Sequence, residues 1–262
     1  MRALLTGVEV VFHLAALISV PYSYSAPHSF LETNVRGTMN ICRAALEAGC
    51  SRVVATSTSE VYGTALRVPI AEDHPLHPQS PYAASKVGAD AMVLSYHLAY
   101  GLPVVLARPF NAYGPRQSAR AVIPTIITQV LAGTTVLRLG ETSSTRDFTF
   151  VTDTCAGLLA LAQCEEAIGS TVNIGTGTEI SIATLCSMLE SSLGHQLSIE
   201  SSDERRRPRA SEVMRLCCDC SLLHRLTGFR PETPLVEGLR RTVEWFSHPG
   251  ILTRYKPERY CV

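Results

Sequence analysis

The chain has 262 residues, 46% of them hydrophobic and 18% charged, which is enough to bury one large core. Its 23 Lys and Arg balance 23 Asp and Glu, so no global field draws it to nucleic acid or an anionic membrane, and neither is expected as a partner. The nine cysteines lie without paired metal spacing, and the tightest group, Cys217, Cys218 and Cys220, has no second half nearby; reduced thiols in a cytoplasmic protein, and no metal, are expected.

The opening MRALLTG reads either as a first strand up to its turn glycine or as the tail of a helix. The second is expected, because RALLTGVEVVFHL runs as helix end, turn and strand. Arg2, the apolar run and the small residues around Ala26 imitate a secretory signal, but Glu9 and His13 interrupt it. No window approaches the ~20 apolar residues of a membrane span. Strands are then expected at VEVVFHLAA, RVVATSTSE and LPVVLARPF, separated by helices at 33–48 and 80–100, an alternation that argues βαβ units with a parallel sheet. In the first helix Val35, Met39, Cys42 and Leu46 keep helical spacing and Gly49 suits the C-terminal cap. In the second, Ser80 can cap, Pro81 takes the first position, and Ala84, Val87, Ala91, Leu94 and Leu98 form the expected buried stripe before Gly101.

Beyond Asn111 the pattern loosens. AVIPTIITQVLAG reads as a helix, LRLG and RDFTFV as short extended pieces, DTCAGLLALAQC as a helix with Asp153 as its cap, and TVNIGTG as a strand. ISIATLCSMLESSLG is a helix before the basic stretch SSDERRRPRASEV, and LTGFRPETPLVEGLRRTVEWF closes as turn and helix. No repeat or low-complexity linker separates the parts.

SPYAASK carries the most chemistry. Tyr82 and Lys86, four apart on a helix, share one face. Phenol ionises near ~10, but a neighbouring ammonium and a cationic ring would both favour phenolate, so Tyr82 could exchange a proton with a substrate hydroxyl. At the end of the strand before it, STSEVYG presents Thr58, Ser59 and Glu60 at the carboxyl edge of the sheet, where ligands of parallel sheets bind. Ser57, Thr58 and Ser59 could instead satisfy loop backbone groups, which fits the hydroxyls better than Glu60.

Together with HLAA at 13–16, TNVRGTMN, RPFNAYGPRQ and TRDFTFVTD, these segments resemble the extended short-chain dehydrogenase/reductase superfamily, in its NAD-dependent epimerase/dehydratase family, almost end to end. The resemblance implies a Rossmann-like doubly wound parallel sheet in an α/β fold, with a small interleaved substrate lobe. It puts an NAD-binding unit at 1–115, to which 146–180 return, and the substrate lobe at 116–262. The carboxylate of STSEVYG is similar to that of nucleotide-sugar 4,6-dehydratases. SARAVIPTIITQ, HPLHPQSPYAASK and YKPERY most resemble the legionaminic-pathway branch, which acts on nucleotide-linked N-acetylglucosamine.

The resemblance implies that His13, Ala15, Ala16, Asn34, Ser57, Tyr82, Lys86 and Pro109 contact NAD. Tyr82 would take the proton of the sugar C4 hydroxyl, Thr58 would bond that oxygen, and Lys86 would hold the ribose and lower the phenol pKa. Glu60 would then take the C5 proton as water leaves C6. Many relatives carry an aspartate where this chain has Ser59, so proton delivery to the leaving hydroxyl falls to Glu60 itself. Asn111, Arg116, Arg120 and Arg146 match nucleotide diphosphate contacts, a task suited to arginine's planar fork. Arg207 joins them, or the basic run is a solvated loop. A homodimer through a four-helix contact that includes the Tyr82 helix is also implied.

A member of this family is expected to begin with a strand, a GxxGxxG turn and a helix whose amides bind pyrophosphate. No GxxGxxG occurs in the 262 residues, so the chain reads as N-terminally truncated, lacking its first βαβ units, about 60 residues at roughly 30 per unit. GTG at 175–177 is no substitute. The alternatives are a 4-epimerase, against which Glu60 argues, and a non-catalytic remnant that binds nucleotide sugar or dimerises.

Overall fold

The computed structural model describes residues 4–256. Residues 4–7 form a turn, with Val8 N–H donating to Leu5 O at 3.1 Å, and strand β1 (Val10–His13) follows. Met1, Arg2 and Ala3 of the opening, and YKPERY beyond Lys256, lie outside the described residues. Short helices α1 (Val20–Ser25) and α2 (Pro27–Phe30) lead through a wide π turn at Leu31–Arg36 into α3 (Gly37–Ala48), so the helix expected from Thr33 has an earlier, looser start. Gly49 ends it in the left-handed conformation, as its position predicts. Strand β2 (Arg52–Thr56) runs into a 3-10 turn at Ser59–Tyr62, and after a loop comes α4 (Pro81–Tyr100). Ser80 caps α4 by accepting from Ala83 N–H at 3.1 Å, and Gly101 terminates it.

The remainder follows as β3 (Val104–Pro109), β4 (Asn111–Tyr113), α5 (Val122–Leu131), β5 (Val136–Leu139), β6 (Thr145–Phe150), α6 (Val151–Gln163) and β7 (Thr171–Ile174). It closes with β8 (Glu179–Ser181), α7 (Ile182–Leu193), β9 (Ser198–Ser201), β10 (Arg215–Leu216), α8 (Ser221–Thr227) and α9 (Leu235–Ser247).

The strands β1-β2-β3-β7 pair in that order, all parallel, in a doubly wound α/β sheet of the Rossmann kind. Alternation along the strands sends Val53, Ala55, Val104 and Leu106 toward α3 and α4, and Val54, Val105 and Ala107 toward α6 and α8. Each such fully buried Val or Leu contributes about 1.5–3 kcal/mol. A second sheet, β10-β6-β4 with β8 antiparallel to β6, and the β5-β9 pair carry the other core, packed between α5, α7 and α9. The chain therefore crosses to the second sheet at β4, leaves it for β5, rejoins it at β6, returns to the main sheet with α6 and β7, and crosses again.

Two expectations are overturned. The stripe expected on α4 is buried only in part: Val87 and Leu94 are half-buried against the core, but Ala84 and Ala91 are exposed and Leu98 is 84% exposed, while Tyr82, Ser85, Lys86 and Asp90 are buried. Apolar periodicity misassigns part of the face because the polar side chains find partners inside. Asp153 does not cap α6. It lies within the first turn after the N-cap Phe150, and its Oδ2 accepts from Thr233 N–H at 2.9 Å, tying down the segment before α9.

Candidate active site

Because the main sheet is parallel, His13, Thr56 and Pro109 end β1, β2 and β3 at one edge. Thr58 opens the turn beyond β2, its hydroxyl accepting from Glu60 N–H at 3.2 Å. Gly63 closes the turn at φ 64, where a Cβ would collide with the His77 carbonyl oxygen. This geometry directs Glu60 into a cavity of about 230 Å³. It also buries Ser59, which is 3% exposed and absent from the cavity lining.

Helix α4 lays Tyr82 and Lys86 on the same edge. The Tyr82 hydroxyl faces that of Thr58, the Tyr82 ring stands edge-on to Phe30 with centroids 6.1 Å apart, and Lys86 Nζ donates to Thr56 O at 2.7 Å. The expected lowering of the phenol pKa by Lys86 does not appear among the chain's own groups. Burial dominates and pushes Tyr82 well up, the Thr58 bond opposes it, and the Glu60 and Asp90 charges add to the rise. Burial pulls Lys86 down while Asp90 opposes. Tyr82 is accordingly a phenol, a proton donor, at neutral pH.

The other expected cofactor contacts divide. His13 bonds the Thr38 hydroxyl at 2.9 Å, and burial, then Lys86, bring its pKa down to about 4, so the ring is neutral at pH 7. Ala15 and Ala16 occupy the loop after β1. Asn34 turns inward from the π turn, its Oδ1 accepting from Leu17 N–H at 2.8 Å and its Nδ2 donating to Leu17 O at 3.0 Å and Ser85 Oγ at 2.9 Å. These bonds make Asn34 the clamp of that loop. Gly88 lets α4 come close enough, since a Cβ there would sit 3.0 Å from Val35 Cγ2. Ser57 donates to Asp90 Oδ2 at 2.8 Å.

On the substrate side, Asn111, Arg120, Arg146 and Arg207 line the cavity with Glu60. Arg116 does not; it is exposed at φ 68. Arg207 Nη1 lies 3.6 Å from Glu60 Oε1 and 3.9 Å from Glu212 Oε1, and Arg146 Nη2 lies 3.4 Å from Glu212 Oε1. The basic run is therefore no solvated loop at Arg207, whose side chain is 23% exposed. GTG at 175–177 is structural: Asp147 accepts from Thr176 N–H at 2.9 Å and Gly177 N–H at 2.8 Å.

Sequence reasoning missed Glu212, Phe30 and a buried network behind α4. Asp90 Oδ2 there takes Arg108 Nη2 at 3.1 Å, Arg108 Nη1 donates to Tyr62 OH at 3.0 Å, and Tyr62 OH donates to Asn173 Oδ1 at 2.8 Å. Asp90 could have been found, being one turn beyond Lys86 on the same face.

The family model described as GDP-mannose 4,6 dehydratase matches residues 2–242. The chain belongs to this family. Among family relatives, dTDP-glucose 4,6-dehydratase of Streptomyces antibioticus is 34% identical over 244 residues, 93% of this chain and 72% of its own. UDP-glucose 4-epimerase of Mycolicibacterium smegmatis is 36% identical over 242 residues, 91% of this chain and 76% of its own. A DesIV dTDP-glucose 4,6-dehydratase double mutant from Streptomyces venezuelae, solved with NAD bound, superposes with a TM-score of 0.88 at 35% identity, covering 95% of this chain and 76% of that one. Family membership thus joins a dehydratase and an epimerase reading of the same scaffold.

Proposed function

We propose that the chain carries the catalytic centre of an NAD-dependent nucleotide-sugar 4,6-dehydratase that yields a 4-keto-6-deoxy sugar nucleotide. The observation that carries this is Glu60, a carboxylate in the cavity beside the Tyr82–Thr58 pair. Thr56 Oγ1, buried without a partner at the edge where Lys86 sits, fits the nicotinamide-ribose half of NAD, with His13, Ala15, Ala16, Ser57, Lys86 and Pro109 around it. When bound, NAD would take a hydride from sugar C4 and, as NADH, return it to C6, so that no net oxidation remains.

Tyr82 exchanges the proton of the C4 hydroxyl, and the neighbouring Thr58 hydroxyl holds that oxygen. The cation of the cofactor ring and Lys86 must together overcome the burial that keeps the phenol protonated. A C4 ketone acidifies C5–H, and Glu60 removes that proton. With Ser59 turned into the interior, Glu60 also delivers the proton to the departing C6 hydroxyl. Asn111, Arg120, Arg146 and Arg207 bind the nucleotide diphosphate, Arg116 standing at the rim. The favoured sugar is N-acetylglucosamine on UDP or GDP. The eight described cysteines are free, which suits a reducing compartment such as the cytoplasm. The exposed Ala84, Ala91 and Leu98 of α4 suit a homodimer.

Incubation with NAD and, in turn, UDP- and GDP-N-acetylglucosamine and dTDP-glucose should convert one of them to a product lighter by one water. Glu60→Gln should abolish that loss, by about 10²–10⁴-fold in rate; unchanged turnover would remove Glu60 from its role. A product of unchanged mass and inverted C4 would select the 4-epimerase, the reading favoured by the epimerase relative.

A further inference from the structure

Behind the candidate site, each residue of the Thr56–Ser57–Thr58 segment meets α4. Lys86 Nζ donates to Thr56 O at 2.7 Å, Ser57 Oγ donates to Asp90 Oδ2 at 2.8 Å, and the Thr58 hydroxyl faces that of Tyr82. Tyr82 and Lys86 have roles in the proposed chemistry. Asp90 has none there; it is 3% exposed and lies one helical turn beyond Lys86. Its Oδ2 also accepts from Arg108 Nε at 3.3 Å and Nη2 at 3.1 Å, and Ser57 N–H donates to Ala107 O at 2.7 Å, so the segment is gripped by α4 on one side and β3 on the other. Seating a helix does not require a buried carboxylate, since apolar residues of like volume serve as well. Its place beside a buried lysine is what gives it a further use.

Lys86 is 5% exposed, and an ammonium taken out of water sheds its proton unless an anion holds it. Burial draws the Lys86 pKa down, and Asp90 opposes the fall. The titratable groups facing Lys86 are His13 from β1, neutral at pH 7, and Asp90 from its own helix; those facing Asp90 are Arg108 from β3 and Tyr82 and Lys86 from α4.

We propose that Asp90 is a positioning residue of the catalytic edge, the counter-ion that keeps Lys86 an ammonium and the brace that sets Thr56 O and Thr58 against α4. Its bearing on catalysis rests on the roles of Tyr82 and Lys86 proposed above. A neutral Lys86 still reaches Thr56 O, but it gives Tyr82 no cation with which to overcome burial. Loss of Asp90 therefore strikes turnover rather than nucleotide binding.

The chain has two lysines, Lys86 and the exposed Lys256, so labelling lysine Cε for NMR gives two side-chain signals that titrate in the full chain without any turnover. Lys86 should be an ammonium at pH 7. Asp90→Asn, which keeps the acceptor for Ser57 and removes the charge, should lower the Lys86 midpoint by at least about one pH unit, a tenfold change in acidity, and leave Lys256 in place. Asp90→Glu returns the charge and should move the midpoint back, which separates a lost charge from a lost fold. In turnover of the sugar nucleotide, Asp90→Asn should lower kcat about 10–10²-fold at pH 8 with KM within about twofold, and the deficit should shrink as pH falls. An amine at Lys86 in the wild type at pH 7, or a midpoint left unmoved in Asp90→Asn, overturns the proposal. Should Asp90→Asn not fold, the state of wild-type Lys86 decides. Coupling between Asp90 and Lys86 in a protein that dehydrates no sugar nucleotide overturns the proposed function and leaves this inference standing.

Discussion

His13 shows how a single side chain writes a pH dependence into the fold. Its pKa is lowered from 6.5 to about 4, first by burial and then by Lys86. Above pH 6.5 the ring is neutral folded and unfolded, so stability does not vary with it. Between 6.5 and 4 the unfolded chain binds a proton that the folded one refuses, and about 3 kcal/mol is lost. Urea midpoints near pH 7 and near pH 4.5 should show this fall, and His13→Gln should flatten it; an equally steep variant would place the sensitivity elsewhere. His13, Thr58, Glu60, Tyr82 and Lys86 were legible in the sequence because each sits at a strand end or one helical turn from its neighbour. Glu212 was not. Its place beside Arg146 depends on pairing between segments far apart in the chain, which no local spacing records.

At the scale of the element, α4 explains both the success and the error of periodicity. Its ends followed from Ser80, Pro81 and Gly101, whose local chemistry holds regardless of context. Its face did not, because Tyr82, Lys86 and Asp90 recur every four residues and are buried as a polar stripe, satisfied by Thr58, Thr56 O, Ser57 and Arg108. Removing one member of a buried charge pair leaves the other uncompensated. Asp90→Ala, which strands Arg108, should therefore cost about 3–5 kcal/mol in chemical denaturation. Leu98→Ala on the opposite face of α4 should cost under about 0.5 kcal/mol in the monomer. Similar losses for the two would mean that the network is not what seats the helix. The π turn before α3 escaped the sequence for a related reason: Asn34 answers to Leu17 and Ser85, partners supplied by the tertiary fold.

For the molecule as a whole, the proposed homodimer would cover Ala84, Ala91 and Leu98, exposed apolar residues of α4. Leu98→Glu should weaken self-association at least about tenfold in sedimentation while leaving the nucleotide cavity intact; a monomeric wild type would remove this contact. The alternation of strands and helices made the parallel sheet legible, whereas the second sheet, assembled from three-residue β4, two-residue β10 and β6 between them, was too short-ranged in pattern to foresee. Its assembly has a consequence in time. Residues 210–219 are laid along residues 64–79, with Gln79 Nε2 donating to Ala210 O at 2.8 Å, Ile70 N–H to Cys217 O at 2.7 Å and Asp219 N–H to Ile70 O at 2.9 Å. Arg207 and Glu212 reach the cavity only through this late seam. A chain still being synthesised can fold its early strands and offer Arg120 and Arg146 beside Glu60, but Arg207 joins that anion grip only when the seam closes. Nucleotide ligands should consequently protect the finished molecule from proteolysis more strongly than its nascent form.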